Sequence, residues 1–188
     1  MSQENVELVR GVRIPLAGVE TRPHRTLDER ILVRFPALAR QLSAAWARLP
    51  RHSRLRRAIL ARRIRQAYAA LNRRDFDVLV LDLDPGIELR LAHLLPDTSG
   101  TYHGHDGFRG AWRLILEVSE DIRLDPQEAL DFGDYLLITA ELRGRGAGSG
   151  VPIGARLHQV STLRRGLVVR QHDFVDRAEA LETVGLSE

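Results

Sequence analysis

His158 and His172 are the first candidates for moving a proton, because imidazole is the side chain whose ordinary pKa lies near neutrality. They stand on two successive extended stretches, residues 153–163 and 167–174, which the reversal Arg164-Arg165-Gly166 would pair. Either imidazole is a candidate base. Arg170, Arg90 and Tyr102 are candidates for holding developing negative charge, with Glu88 and Asp173 as further companions. Trp112, Leu157, Ala155, Phe174 and Glu88 are the expected ligand contacts. This chemistry has one geometric condition: the rings must face an open chamber, since outward-turned rings or a solid interior leave only a scaffold. A buried histidine that merely satisfies its hydrogen bonds is the alternative for both positions.

Two other stretches carry suggestive residue types. Tyr102-His103-Gly104-His105-Asp106 contains metal-ligating side chains, but it leads into a helix that Asp106 would cap, and the H-x-H pair lacks a placed third ligand. No metal is expected there. The run GRGAGSG at 144–150 is followed by neither Lys nor a helix, so it reads as a connection rather than a phosphate cradle, and no cofactor is expected.

The elements that would position these groups follow from periodicity. In the stretch 153–163 the odd positions, including Leu157, Gln159 and Leu163, share one face, and Arg156, His158 and Val160 share the other. Neither face is cleanly apolar, which suits a curved sheet with one packed side and one cavity or interface side. Asp176 followed by Glu179 predicts a capped helix over 177–183 that Gly185 ends. Earlier, residues 11–26 predict an extended lead-in, 27–35 a short helix, and Pro36 the first turn of a second helix with Leu38, Leu42, Ala45, Trp46 and Leu49 inward. Ser53 predicts the cap of a long helix to about Arg73, with Leu55, Ile59, Leu60, Ile64, Ala67, Tyr68 and Leu71 inward and Arg54, Arg56, Arg57, Arg62, Arg63 and Arg65 outward. Asp84-Pro85-Gly86 predicts a turn, 106–119 a helix carrying Trp112 and Ile115, and 122–130 with 135–143 a hairpin. Helices first and consecutive strands after them make an α+β protein.

Composition narrows the rest. A chain of 188 residues, 44% hydrophobic, supports one core with an appendage, here 1–52 as a partly helical basic extension and 53–188 as the main domain. It has no Cys, no secretory-type opening and no run of apolar residues that spans a membrane, so a cytoplasmic location is expected. Residues 1–74 hold 17 Arg against 5 acids, whereas residues 75–188 hold 11 Arg against 20 acids. The basic part is therefore expected to pack on the acidic part, within the chain or across a dimer. No Asp or Glu lies between Arg30 and Arg74, so these helices have no internal salt bridges; a contact with nucleic acid or acidic lipid is the less favoured alternative.

The segments YAALNRRDFD at 68–77, Asp84-Pro85, YHGHDG at 102–107 with Trp112, and DFVDRAEAL at 173–181 closely resemble the SnoaL-like branch of the nuclear transport factor 2-like superfamily, which includes ketosteroid isomerases and polyketide cyclases. The resemblance covers roughly 57–188. It implies a cone: a bent antiparallel sheet around helices, a pocket in the mouth for a small hydrophobic molecule, and a homodimer through the outer sheet face. One departure is plain, because the opening SQENVE stretch is separated from Tyr68 by more than fifty residues of Arg-rich insertion. Placed on these segments, the ketosteroid isomerase tyrosine falls at Ala67, its base at Arg90 and its protonated acid at Leu157. All three are changed, and Tyr68, about 100° round its helix from Ala67, should point elsewhere. The expectation is a cofactor-independent isomerase, cyclase or hydrolase, or else a non-catalytic ligand-binding or dimerisation module.

Overall fold

The computed structural model describes residues 11–16, 23–92 and 100–185; the SQENVE stretch and most of the loop before Gly100 lie outside them. Strand β1 (Val12–Pro15) precedes three helices, α1 (Leu27–Arg34), α2 (Pro36–Trp46) and α3 (Arg54–Asn72). Glu29 Oε2 accepts the Thr26 amide 2.9 Å away to start α1, Pro36 occupies the first turn of α2, and the Ser53 hydroxyl accepts from Arg56 N to start α3. The short helix α4 (Phe76–Leu79) and a 3-10 turn lead into β2 (Leu83–Arg90), then β3 (Thr101–His103) and α5 (Gly104–Val118). Two long hairpins follow, β4 (Ser119–Asp131) with β5 (Tyr135–Gly146) and β6 (Pro152–Arg164) with β7 (Leu167–Phe174), and α6 (Arg177–Thr183) closes the chain.

The seven strands among the described residues form one bent sheet in the order β1-β4-β5-β6-β7-β2-β3. The lead-in is not merely extended: residues 12–15 pair with β4 and extend its edge. Nor is the sheet wholly antiparallel, because β7, reached last, offers an edge along which β2 runs parallel. Asp84-Pro85-Gly86, expected as a turn, sits inside β2 where pairing lapses between Leu83 and Glu88; Pro lacks the donor that a ladder needs. Helix α5 starts at Gly104, before Asp106.

Helices α3 and α5 fill the concave side of the sheet with Leu60, Ile64, Tyr68, Phe108 and Trp112. On the convex side, Ala180 and Leu181 of α6 cover Leu137, Val160 and Phe174 as a second apolar cluster. Helix α3 is fixed to β4 at both ends. Near its start, Arg56 reaches Asp131 with Nε to Oδ2 at 2.7 Å and Nη2 to Oδ1 at 3.0 Å; near its end, the Asn72 side chain both donates to Leu124 O and accepts from Leu124 N. Arg56, expected on the outward face, is buried because that carboxylate lies beneath the helix. Further pairs join Arg25 to Asp75, Arg63 to Asp82 and Arg13 to Glu128, so part of the basic segment is paired with acids of the main body within one chain.

Helix α2 presents a different face from the apolar one. Ala39, Ser43 and Trp46 are buried, whereas Leu38 and Leu42 are exposed, as is Leu55 of α3. Small side chains let α2 lie close to the β6–β7 turn, which is built from Arg165 at φ 52° and Gly166 at φ 77°. A Cβ on Gly166 would run into the Ser43 carbonyl and stand 3.1 Å from Trp46 Cε2. Gly166→Ala is expected to lower stability in urea by about 1–3 kcal/mol and to shift Trp46 fluorescence, since strained φ and overpacking act together. A change under half of that would mean that α2 simply rides outward.

Candidate active site

A chamber of about 120 Å³ lies between α3, α5 and the concave face of β5–β7. Its walls are mostly apolar, with Leu60, Ile64 and Leu71 from α3, Phe108 and Trp112 from α5, and Ile138 from β5. One wall is polar. The Tyr68 hydroxyl donates to Gln159 Oε1, Gln159 Nε2 donates to Asp173 Oδ1 at 3.0 Å, and Gln171 Nε2 donates to the same oxygen at 2.9 Å. Tyr68, Gln159 and Gln171 border the chamber; Asp173 stands behind the two amides, 6% exposed. Burial pushes the Asp173 carboxyl up to about 6, and the two amide donors only partly offset that. Burial, with Asp173 beside it, pushes the Tyr68 phenol well up, so it stays protonated. Nearer α2, Arg63 pairs with Asp82, both bordering the chamber, and donates to Ser43 Oγ at 2.9 Å.

Such a wall offers donors to an oxygen acquiring negative charge. Glutamine amides held in place by a carboxylate, with a neutral phenol alongside, need little reorganisation when that charge forms. Two carboxyls near the chamber are raised by burial: Asp173 behind this wall, to about 6, and Asp82 in the lining itself, against the pull of Arg63.

The sequence-predicted residues are placed differently. His158 and His172 both lie on the convex face, not in the chamber wall. His158 is buried with Nδ1 3.1 Å from Thr139 Oγ1, and burial, Arg177 and Arg156 hold its pKa below the usual range. His172 packs on Phe174 with ring centroids 4.0 Å apart, and burial and then Arg90 lower its pKa against the pull of Glu88. Arg170 and Glu88 form an ion pair at 3.1 Å on this outer side, with Arg90 opposite His172 in register. Phe174 belongs to the cluster under α6. Leu157 and Ala155 point to the concave side but lie further along β6 than the chamber, and Tyr102, on β3, packs against the core beside Gly107. Of these ten residues only Trp112 borders the chamber.

The cause is one extra residue. Leu163 pairs with Val168 but Thr162 pairs with Arg170, so Val169 is bulged and every later side chain of β7 changes face. Without the bulge His172 would oppose Gln159 and look inward; with it, Asp173 takes that place. Tyr68 faces inward as its place on the apolar stripe predicted, but not away from Ala67 as the comparison with ketosteroid isomerase suggested: Ile64, Ala67, Tyr68 and Leu71 all border the chamber, the stripe being wide enough to include both neighbours. The alternation of β6 already grouped Gln159 with Leu157 and Leu163, which was the available signal for Gln159. Trp46 was expected inward but with nothing to mark it as a chamber residue, and Arg63 was expected on the outward face.

Comparison with known proteins agrees with this architecture. The fold is shared with a nuclear transport factor 2-like protein of unknown function from Burkholderia pseudomallei, at TM-score 0.56 and 24% identity over 64% of this chain and 93% of that one. It is shared too with TerC co-crystallised with polyporic acid, at TM-score 0.56 and 21% identity over 66% and 96%, and with IdmH of Streptomyces antibioticus, a candidate polyketide cyclase, at TM-score 0.52 and 20% identity over 66% and 97%. No curated protein matches the chain. The profile of the SnoaL-like domain matches residues 64–171, more than half of the chain, and the protein therefore belongs to the SnoaL-like family of nuclear transport factor 2-like fold.

Proposed function

We propose that the chamber binds a small hydrophobic molecule bearing one carbonyl or hydroxyl group and isomerises or cyclises it by proton transfer, without a cofactor. The observation that carries this reading is the Tyr68, Gln159 and Gln171 wall set among mostly apolar side chains and backed by a carboxyl whose pKa is raised to about 6. In this scheme the substrate oxygen lies against the remaining N–H of the Gln159 and Gln171 amides, and the Tyr68 hydroxyl, donating to Gln159 Oε1, holds the first of them in place. Asp173, which stands behind the two amides and not in the lining, accepts the proton by relay past them and returns it at a second carbon. The chamber is comparable with the cavity of roughly 150 Å³ known to admit benzene, which points to a one-ring molecule.

A test uses 3-cyclohexenone in D2O. Conversion to the conjugated ketone with deuterium uptake is expected, and Asp173→Asn should slow it by roughly 10²–10⁴-fold. Binding that raises the melting temperature with neither conversion nor exchange would leave a ligand-binding module; that second reading is favoured by the two amides that cover Asp173 Oδ1. The pairing of Arg56, Arg63 and Arg25 with carboxylates of the same chain supports an internal role for the basic segment over a nucleic-acid contact.

A further inference from the structure

Three cavities meet at Trp46. The indole borders the 120 Å³ chamber, a groove of about 600 Å³ over α1–α3 lined by Ile31, Leu38, Leu42 and Leu55, and a cleft of about 500 Å³ beside Gly133 and Gly166. Between chamber and groove the wall is therefore Trp46 and Arg63, the two residues common to both. Trp46 is the last residue of α2 and lies outside the stretch matched by the family profile. It is held face-on by the Arg56 and Arg63 guanidinium groups, 5.3 and 5.7 Å from the ring centre, yet its buried Nε1–H has no partner among the described residues. An unpaired buried donor costs about 1–3 kcal/mol, which hydration returns when the ring swings out, so its seat is weaker than its burial suggests.

We propose that Trp46 determines the size of molecule the protein accepts. With the indole seated, the chamber takes a single ring; with it displaced, chamber and groove become one elongated apolar cavity that takes fused-ring molecules. The proposal rests on the chamber being the binding site, and it adds a residue of the extension to that site.

The test measures dissociation constants of the full chain for phenol, 2-naphthol and 2-anthrol. Wild type is expected to prefer phenol, and Trp46→Ala to bind 2-anthrol at least about tenfold tighter than wild type does, within the range set by pocket volume changes. Trp46→Phe, which keeps a ring and drops the N–H, should retain the wild-type order. Should Trp46→Ala fail to fold, Trp46→Leu carries the comparison, with a gain of about threefold or more for 2-naphthol. One size order shared by wild type and the truncated variant overturns the proposal while leaving the chamber intact. If neither binds any of the three, the chamber reading falls and the proposal with it.

Discussion

Arg56→Met is expected to destabilise the protein by about 3–5 kcal/mol, the loss typical when one member of a buried ion pair is removed. Arg56 is 4% exposed and Asp131 0%, so the stranded carboxylate would have no solvent to turn to. The guanidinium is also fully engaged: besides two bonds to Asp131 it donates to Gly133 O at 3.0 Å and to Ala47 O and Leu49 O at 3.3 Å. Asp131 Oδ1 accepts in addition from Gly133 N at 2.9 Å. These contacts tie α2, α3 and the β4–β5 turn together, and loss of the arginine releases all three. Replacing both partners, Arg56→Met with Asp131→Leu, removes the stranded charge and should recover roughly 1–3 kcal/mol relative to additivity. Urea unfolding of the two single variants and the double variant checks this. A loss below about 1 kcal/mol for Arg56→Met would show that water reaches the carboxylate.

The second large effect concerns pH. The Asp173 carboxyl titrates at about 6 in the fold against 3.8 ordinarily, so between these values the folded protein holds a proton that the unfolded chain has released. Its contribution is thus most favourable below pH 4 and declines as pH rises to 6, a difference of about 3 kcal/mol at 1.36 kcal/mol per unit. Asp173→Asn has nothing to titrate. The stability of the variant minus that of wild type should therefore grow by about 3 kcal/mol from pH 4 to pH 7, then level off. Taking the difference cancels the depressed carboxyls, Asp28 held down by its hydrogen bonds to Thr26, Arg62 and Gln66, and Asp77 by Arg109 and Arg25. A flat difference would mean that the wall is wet and that Asp173 is ionised throughout, removing the proton acceptor from the proposed chemistry.

Local signals were well expressed in the sequence. Ser53 and Asp176 cap helices as their types predict, Arg165-Gly166 makes the turn, and the odd positions of β6 are the concave ones. The family follows from the same segments. What alternation did not reveal was which side of β6 encloses the chamber, because α6 covers the other side and both faces are buried. Nor did it reveal the bulge at Val169, a register property set by two strands together, which exchanged His172 for Asp173. Helix α2 misled for a related reason: counting apolar residues selected Leu38 and Leu42, whereas close approach to Gly166 selected Ala39 and Ser43. Small residues were worth more there than large ones.

The double fastening of α3 has a geometric corollary. Arg56 and Asn72 are separated by sixteen helical steps, about 24 Å at 1.5 Å each, whereas their partners Asp131 and Leu124 are seven residues apart across the bulge between Pro126 and Glu128, six paired steps or about 20 Å at 3.3 Å each. The long Arg56 side chain takes up the difference. Inserting or deleting a single residue in β4 between those points would shift one clasp off its partner, and the connection at 47–53 is held as well, by Arg56 on Ala47 O and Leu49 O and by Arg51 on Phe132 O. Any displacement of Trp46 is thereby left to rotation of its own side chain rather than to movement of the frame.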